Sequence, residues 1–376
     1  MEILDRYIER LMTESTPQSP LWNMERVRTG RANKWNYVDG CVIKAITELY
    51  QITENPRYLE FADSFVDYFI EEDGSIRGFD ASHQSLDDVM SSRNLFPLYY
   101  LTKKEKYRKA LDTSYAMIKT QPRTESGTFW HKNIYPNQIW LDGLYMGQPL
   151  YMQYERDFNN SENCYDSYQQ FLNVYEKLRD PKNGLYYHAY DESREMFWCD
   201  PVTGLSQCFW SRALGWYAMA LVDTFTVMPE SMTEEAANIT RMFRELVDSM
   251  LKYQDKESGM WYQVVNFGGI APNYLETSGS AIFAYAIMKG VRIGMLPEEY
   301  FAHGEKAFNG TCDKYLSEKD GQLQLGGICL VAGLGNKTHR EGTFEYYMRE
   351  PIVENDGKGV APLIMAYTEI LYRNKK

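Results

Sequence analysis

The chain has 376 residues, of which 44% are hydrophobic and 15% aromatic, and its formal net charge is −12 at pH 7. A chain this acidic lacks the basic footprint that nucleic-acid binding requires, whereas a few basic groups inside a cavity can still bind a small anion. The apolar runs fall short of the roughly 18 residues of a membrane span and the N-terminus lacks a signal-peptide pattern, so we expect a cytoplasmic protein that binds neither membranes nor nucleic acid.

Segments with helical spacing of apolar residues recur along the chain, the first of them over 2–12. Several end at a short signature centred on a glycine, which stops a helix because glycine adopts the left-handed conformation at little cost. In each signature an apolar residue lies two positions after the glycine, which predicts that the same loop structure recurs at each of these places. The signature glycines are Gly74, Gly127, Gly184, Gly259 and Gly321.

A second class of segment lies between these signatures and is richer in apolar and small residues. Its members alternate with amphipathic segments such as 104–120 and 234–254, an order that predicts an inner ring of helices wrapped by an outer ring. The pattern predicts an all-α toroid of six helical hairpins in a single domain over 1–376. Small hairpins are predicted at 129–131, 186–190 and 261–265. The inner helices are predicted to begin near 38–40, 86–88, 141–143, 212–215, 277–279 and 358–360.

Carboxyl groups fall where the inner helices are predicted to begin, and parallel inner helices bring those starts to one end of the toroid. An aspartate at such a place commonly caps the helix, which is the alternative for each of them. Asp142 differs because its neighbours are almost wholly apolar, and burial without a cation raises the pKa of a carboxyl and makes it a proton donor near neutral pH. We therefore predict a functional role for Asp142. The other aspartates at these starts are Asp39, Asp87 and Asp88.

Two histidines and an arginine are further candidates. His131 and His188 follow two of the glycine signatures and so occupy equivalent loops, although a lone histidine is more often structural. The five histidines of the chain show no metal-ligand spacing, so we expect no metal site. Arg212 lies between Trp210 and Trp216, where a guanidinium suits a carboxylate and an indole suits the face of a sugar. The alternative is a buried arginine paired with a structural acid.

Motifs rich in Trp, Asp and Gly extend over nearly the whole chain. They lie at 35–40, 86–88, 140–147, 210–216, 345–347, 350–351 and 355–360, and include Trp-Leu-Asp-Gly at 140–143. Together they resemble the unsaturated rhamnogalacturonyl hydrolases, family 105 of the glycoside hydrolases, which are related to the unsaturated glucuronyl hydrolases. One departure is Met90-Ser91-Ser92-Arg93, where members of the family often continue Asn-Pro-Gly-Arg, and it leaves the orientation of Asp87 open.

The resemblance implies an (α/α)6 barrel and an enzyme that hydrates the C4=C5 double bond which a polysaccharide lyase leaves on a terminal uronic acid. It implies that Asp142 protonates C4 and then, as a carboxylate, helps to deprotonate the water that attacks C5. Asp87 is expected to orient substrate hydroxyls or that water. The expected substrate is an unsaturated galacturonyl-rhamnose fragment, bound by a monomer without metal or cofactor. The residues expected to hold the sugar are His131, Trp140, His188, Trp210, Arg212 and Trp216.

Three alternatives stay open at this stage. An unsaturated glucuronyl hydrolase shares the fold and the chemistry but cuts fragments of glycosaminoglycans. A non-catalytic toroid binds the oligosaccharide without consuming its double bond. An aminosugar epimerase of the same fold requires a pair of histidines placed across C2 of an open-chain sugar.

Overall fold

The computed structural model describes residues 2–335 and 339–375. Met1, residues 336–338 and Lys376, which the one-domain prediction includes, lie outside the described residues. Within the described part, the helices are α1 (Glu2–Thr13), α2 (Met24–Val27), α3 (Tyr37–Thr53), α4 (Pro56–Asp67), α5 (Leu86–Met90), α6 (Leu95–Thr102), α7 (Glu105–Lys119), α8 (Leu141–Phe158), α9 (Cys164–Leu178), α10 (Ser211–Phe225), α11 (Thr233–Leu251), α12 (Thr277–Arg292), α13 (Phe301–Tyr315), α14 (Phe344–Arg349) and α15 (Gly357–Lys375). The strands are β1 (Gln138–Trp140), β2 (Ala189–Asp191), β3 (Leu316–Lys319), β4 (Gln322–Leu325), β5 (Ile328–Cys329) and β6 (Ile352–Val353).

The apolar segments pack side by side into a closed inner ring. In chain order its members are α3, the pair α5 and α6, α8, α10, α12 and α15, and α15 returns to pack against α3. Ring helices are buried on almost every side, and α12 is buried without interruption from Thr277 to Gly290. The intervening helices lie outside the ring, where α11 buries a single face that includes Ile239, Phe243 and Leu246, as an amphipathic helix does. The predicted (α/α)6 barrel is confirmed.

The helix boundaries follow the sequence signals closely. Each ring helix begins within one residue of its predicted start, because the change from polar loop to apolar run marks the place where the chain enters the core. All five signature glycines have positive φ, between 74° and 87°, the conformation that glycine adopts at little cost. No helix within the described ranges has the length and apolar character needed to cross a membrane.

The second ring helix is interrupted at the segment where the sequence departs from the family motif. A 3-10 turn over Ser91–Asn94 separates α5 from α6. There Ser91 packs directly on Gly40 of α3, since a Cβ at position 40 would lie 2.6 Å from the Ser91 Cα. The Ser91 hydroxyl donates to the Asn36 carbonyl, and the Asn94 amide donates to the Gly40 carbonyl over 2.9 Å. The Asn94 amide also donates to the Ser91 carbonyl over 3.1 Å, a local bond to the backbone of the kind that favours a turn over a continuous helix.

Two short strands join loops at the end of the ring where its helices begin. Strand β1 pairs antiparallel with β2, and Trp140 lies opposite Ala189. The prediction of hairpins at 186–190 is met in part, because β2 covers Ala189 and Tyr190 but pairs with a strand that was not predicted. The other predicted pieces form isolated bridges, such as Phe129 to Arg123. Since β1 leads directly into α8, this pairing positions the start of that helix.

A charged cluster, which we call the far-end cluster, closes the opposite end of the ring near the C-termini of α10 and α12. At its centre the carboxylate of Asp223 accepts hydrogen bonds from Lys289 at 2.7 Å, Arg93 at 2.8 Å and Tyr285 at 3.0 Å. The ammonium of Lys44 lies 3.5 Å away. Burial raises the pKa of Asp223, but Lys289, Lys44 and Arg93 together hold that pKa well below its ordinary value, so the carboxyl stays ionised.

Candidate active site

A cavity opens at the end of the ring where the inner helices begin, and the space between its walls is about 470 Å³. All but one of the predicted site residues line it, and the exception, His188, lies directly behind Asp142. Asp39 and Asp88 do not line the cavity; the carboxylate of Asp39 instead accepts hydrogen bonds from Trp22 and three asparagines. The lining residues are Tyr37, Asp87, His131, Lys132, Tyr135, Trp140, Asp142, Met146, Trp210, Arg212, Trp216, Val331, Ala332, Gly333, Arg340 and Lys358.

Asp142 is the second residue of α8 and faces the cavity with a side chain that is 14% exposed. It does not cap the helix, whose N-cap is Trp140. Its Oδ2 lies 3.2 Å from Nε2 of His188, although the angle falls short of a hydrogen bond. The next residue is Gly143, where a Cβ would lie 3.1 Å from Nδ1 of His131. The glycine therefore lets the His131 ring pack close to the helix start beside the carboxyl.

His188 is held from behind by a residue that the sequence reasoning did not assign to the site. Its Nδ1 lies 2.8 Å from the hydroxyl of Tyr347 in α14. Burial raises the pKa of Tyr347 well above its ordinary value, so the phenol stays protonated and can donate to Nδ1. A donation in this sense places the His188 proton on Nε2, the ring nitrogen nearest Asp142. The Glu-Tyr-Tyr motif at 345–347 was noted in the sequence, but nothing local showed which residue it would meet.

Asp87 lies across the cavity in a cationic environment. Its carboxylate contacts the ammonium of Lys132 and lies 3.5 Å from Nε2 of His131. Burial raises the pKa of Asp87, but the charge of Lys132 and the contact with His131 outweigh burial, so the net pKa is below its ordinary value. Asp87 is therefore a carboxylate at neutral pH, able to accept hydrogen bonds but not to donate a proton. The side chain of Asp87 faces the cavity even though the segment that follows Asp88 departs from the family motif.

His131 is a neutral, buried ring that packs against an aromatic wall. Its ring lies 4.8 Å from that of Trp140 at an angle of 15°, and the Tyr135 ring lies 4.9 Å from Trp140 at 13°. Burial lowers the pKa of His131 to about 4, although the charge of Asp87 opposes that shift. The three near-parallel rings offer a flat surface of the kind on which sugar faces stack.

The tryptophans of the predicted site are each fixed by a specific contact. Trp140 donates from Nε1 to the Gln138 side chain over 3.1 Å, and Trp210 donates to Gln263 over 3.0 Å. Trp216 stacks on Tyr145 with ring centres 5.0 Å apart. Because the indole nitrogens of Trp140 and Trp210 are engaged by the protein, these two residues have only their apolar ring faces left for the cavity.

Arg212 reaches the cavity wall, but three of its five N–H donors are engaged by the protein. Its Nε donates to Ser278 over 2.7 Å, and its terminal nitrogens donate to the carbonyls of Cys329 and Leu330. The buried carboxylate of Glu276 lies 3.7 Å from Nη2. These contacts match the alternative that the sequence left open, a buried arginine paired with a structural acid, while its role toward substrate stays a prediction.

Three cations of the cavity wall were missed by sequence reasoning. Lys132 directly follows His131, Lys358 lies at the start of α15, and Arg340 lies in the loop before α14. With Arg212 they form a set of four cationic side chains on a wall that has two carboxylates, Asp87 and Asp142. Cationic side chains on a cavity wall can bind an anionic ligand even though the chain as a whole is acidic. Within the described residues, no group of three or more His, Cys, Asp or Glu side chains is arranged to hold a metal ion.

The low pKa of His131 has a measurable consequence for stability. As the pH falls below 6.5, the ordinary pKa, the unfolded chain takes up a proton that the folded protein accepts only near 4. The contribution of His131 to the free energy of unfolding is therefore fully present above pH 6.5. It falls by about 3 kcal/mol in total as the pH is lowered to 4. We expect unfolding in urea at pH 4 to 7 to show a shallower pH dependence for His131→Gln than for wild type.

The variant His303→Gln, at an exposed position, provides a matched control for the substitution itself. Titrating groups away from this ring contribute equally to wild type and variant and cancel in the comparison. Identical pH dependence in wild type and His131→Gln would contradict the buried neutral state inferred for this ring.

Known proteins resemble the chain in sequence over most of its length. The profile of Glycosyl Hydrolase Family 88 matches residues 7–374. Protein Atu3128 of Agrobacterium fabrum is 39% identical over 233 residues, which cover 60% of this chain and 98% of that protein. The unsaturated rhamnogalacturonyl hydrolase YesR of Bacillus subtilis is 25% identical over 348 residues, which cover 91% of each chain.

Solved structures resemble the barrel in fold as well. A family 105 glycoside hydrolase of C. acetobutylicum superposes with a TM-score of 0.90 at 40% identity, over 98% of both chains. An unsaturated glucuronyl hydrolase specific for heparin superposes with a TM-score of 0.68 at 12% identity, over 100% of this chain and 96% of the other. At that identity the likeness is one of fold alone.

Proposed function

The chain belongs to glycosyl hydrolase family 88 and is a glycoside hydrolase, and from this premise we propose that it removes an unsaturated uronic acid from the non-reducing end of lyase-generated oligosaccharides. The observation that carries the proposal is the position of Asp142. Its carboxyl projects into a cavity lined by aromatic rings and four cationic side chains, next to a histidine fixed by Tyr347. The arrangement supplies one acid–base group, an aromatic surface for the sugar and cationic side chains for its carboxylate.

We propose that Asp142 acts first as a general acid and then as a general base. It protonates C4 of the C4=C5 double bond, which leaves positive charge shared between C5 and the ring oxygen. The resulting carboxylate then takes a proton from the water that attacks C5. The C5 hemiketal opens, and the hemiacetal left at C1 expels the second sugar. A single carboxyl performs both proton transfers, so the paired carboxylates of most glycosidases are not required.

The neighbours of Asp142 support the two stages of this reaction. A proton on Nε2 of His188 stabilises the carboxylate that remains after C4 is protonated, because the two atoms lie 3.2 Å apart. Asp87, kept ionised by Lys132, is placed to accept hydrogen bonds from substrate hydroxyls or from the attacking water. The rings of Trp140, His131 and Tyr135 provide the stacking surface.

We propose an unsaturated galacturonyl-rhamnose disaccharide from rhamnogalacturonan as the substrate. The match to YesR over 91% of the chain supports this choice. The cationic wall supports an acidic sugar of either kind, and so does not itself exclude a glycosaminoglycan fragment. The cytoplasmic location, the monomeric state and the one-domain organisation expected from the sequence stay predictions.

A panel of unsaturated disaccharides tests the proposed activity and its specificity. The conjugated double bond absorbs in the ultraviolet, and hydration removes that absorbance. We expect the wild-type protein to consume the galacturonyl-rhamnose compound with a kcat/KM at least about tenfold above that of compounds with an aminosugar at the reducing end, a difference of about 1.4 kcal/mol. Preference for the aminosugar compounds would identify a glucuronyl hydrolase instead. Binding without any loss of absorbance across the panel would indicate a non-catalytic toroid.

A further inference from the structure

Three of the four cations on the cavity wall already have a carboxylate partner from the protein. Lys132 pairs with Asp87, and Arg212 lies 3.7 Å from the carboxylate of Glu276. Lys358 lies 2.8 Å from the carboxylate of Glu25 and 3.1 Å from that of Asp356. The charge of each of these side chains is therefore largely compensated before a substrate enters.

Arg340 differs from the other three. Within residues 2–335 and 339–375, no carboxylate lies within 4.0 Å of its guanidinium. Its chain neighbour Glu341 instead pairs with Arg349 on the surface at 3.3 Å. The next acid, Glu350, is half-buried, and although burial raises its pKa and the charge of Arg340 acts to lower it, the two side chains form no ion pair. Arg340 thus lines the cavity without a carboxylate of the described residues in direct contact.

The local backbone holds Arg340 in this position. Gly333 faces its guanidinium so closely that a Cβ there would lie 2.6 Å from Nη1 and 3.6 Å from Cη2 of Trp140. The amide of Gly333 donates to the Tyr346 hydroxyl over 3.0 Å. Gly335 and Arg340 exchange two backbone hydrogen bonds, of 3.0 and 3.2 Å. The missing side chain at position 333 is what leaves room for the guanidinium beside the indole.

We infer that Arg340 determines specificity by binding the carboxylate of the unsaturated uronic acid. The inference rests on the proposed function, which brings this sugar into the cavity that Arg340 shares with Asp142. A guanidinium matches a carboxylate through two parallel N–H donors, and such charge-assisted bonds are among the stronger ones in proteins. Arg212, the residue that the sequence indicated for this task, has three of its five N–H donors engaged by Ser278 and two carbonyls and pairs with Glu276.

Equilibrium binding to an Asp142→Asn background tests the inference without consuming the ligand. Calorimetry is to measure the Kd of the unsaturated galacturonyl-rhamnose disaccharide and of its methyl ester, which lacks the negative charge. We expect Arg340→Gln to weaken binding of the acid about 10- to 100-fold and binding of the ester by less than about threefold. Arg340→Lys should retain part of the preference for the acid, because a point charge replaces the planar donor pair.

Two further variants make the result specific to this guanidinium. Arg349→Gln removes a nearby surface arginine with an exposed fraction of 67% and should leave both Kd values unchanged. Gly333→Ala places a methyl group 2.6 Å from the present position of Nη1, which displaces the guanidinium and should also reduce the preference for the acid. The thermal unfolding midpoint of each variant shows whether it is folded.

The outcomes separate this inference from the proposed function. Equal weakening of acid and ester by Arg340→Gln, or weakening of neither, would overturn the assignment of Arg340. An acid preference that depends on Arg340, in a wild-type protein that leaves the double bond intact, would uphold the assignment and refute the proposed reaction.

Discussion

Replacing Asp142 by Asn is expected to lower kcat on the unsaturated disaccharide by about 10²–10⁴-fold or more, because the same carboxyl provides the acid and the base. The amide fits the same space at the start of α8, where only 14% of the aspartate side chain is exposed. It can neither donate a proton to C4 nor accept one from water. The measurement is the rate at which the ultraviolet absorbance of the double bond disappears under saturating substrate.

Asp88 provides a matched control for this experiment. It also lies near the start of a ring helix, but it does not line the cavity. We expect Asp88→Asn to keep kcat within about threefold of the wild-type value, since its carboxylate lies 3.8 Å from His83 and does not line the cavity. An Asp142→Asn protein that consumed the substrate at nearly the wild-type rate would refute the proposed acid–base role.

The largest effect on stability is expected from Asp223 in the far-end cluster. Its side chain is 1% exposed and accepts hydrogen bonds from Arg93, Lys289 and Tyr285. Asp223→Asn leaves the cations Arg93, Lys44 and Lys289 around a neutral group, and removal of one partner from a buried ion pair costs about 3–5 kcal/mol. We expect the free energy of unfolding, measured in urea at pH 7, to fall by that amount.

Glu341→Gln is the matched control, because it breaks a surface ion pair in which both side chains are more than 40% exposed. Such pairs contribute about 0–1 kcal/mol. If Asp223→Asn cost less than about 1 kcal/mol, the cations of the far-end cluster would have to be stabilised by other groups, and the central role given to Asp223 would be wrong.

The ring architecture was predictable because it depends on periodicity along the chain. A helix buried on all sides has to be apolar all round, and a helix on the outside has to be apolar on one face, so α12 and α11 differ visibly in sequence. The interruption between α5 and α6 was less apparent. It depends on Ser91 meeting Gly40, a contact between residues far apart in sequence that no local pattern records.

The candidate site was predictable where one short segment contained the signal. Asp142 could be identified because a lone carboxyl among apolar residues at a helix start is unusual, and the tryptophans at 140, 210 and 216 belong to recognisable motifs. Tyr347, Lys358 and Arg340 reach the site from the last part of the chain. Each is an ordinary residue in its own segment, so only the closure of the ring shows what it contacts.

The sequence by itself determined the alternation of inner and outer helices, the end of the ring that holds the site and the carboxyl at the centre of the proposed chemistry. Those features follow from local hydrophobic pattern and from helix starts, which short stretches of chain specify. Only the tertiary structure decided which charges are compensated. It pairs Arg212 with Glu276 from another ring helix and leaves Arg340 facing the cavity, because electrostatic partners are set by distance in space and not by separation along the chain.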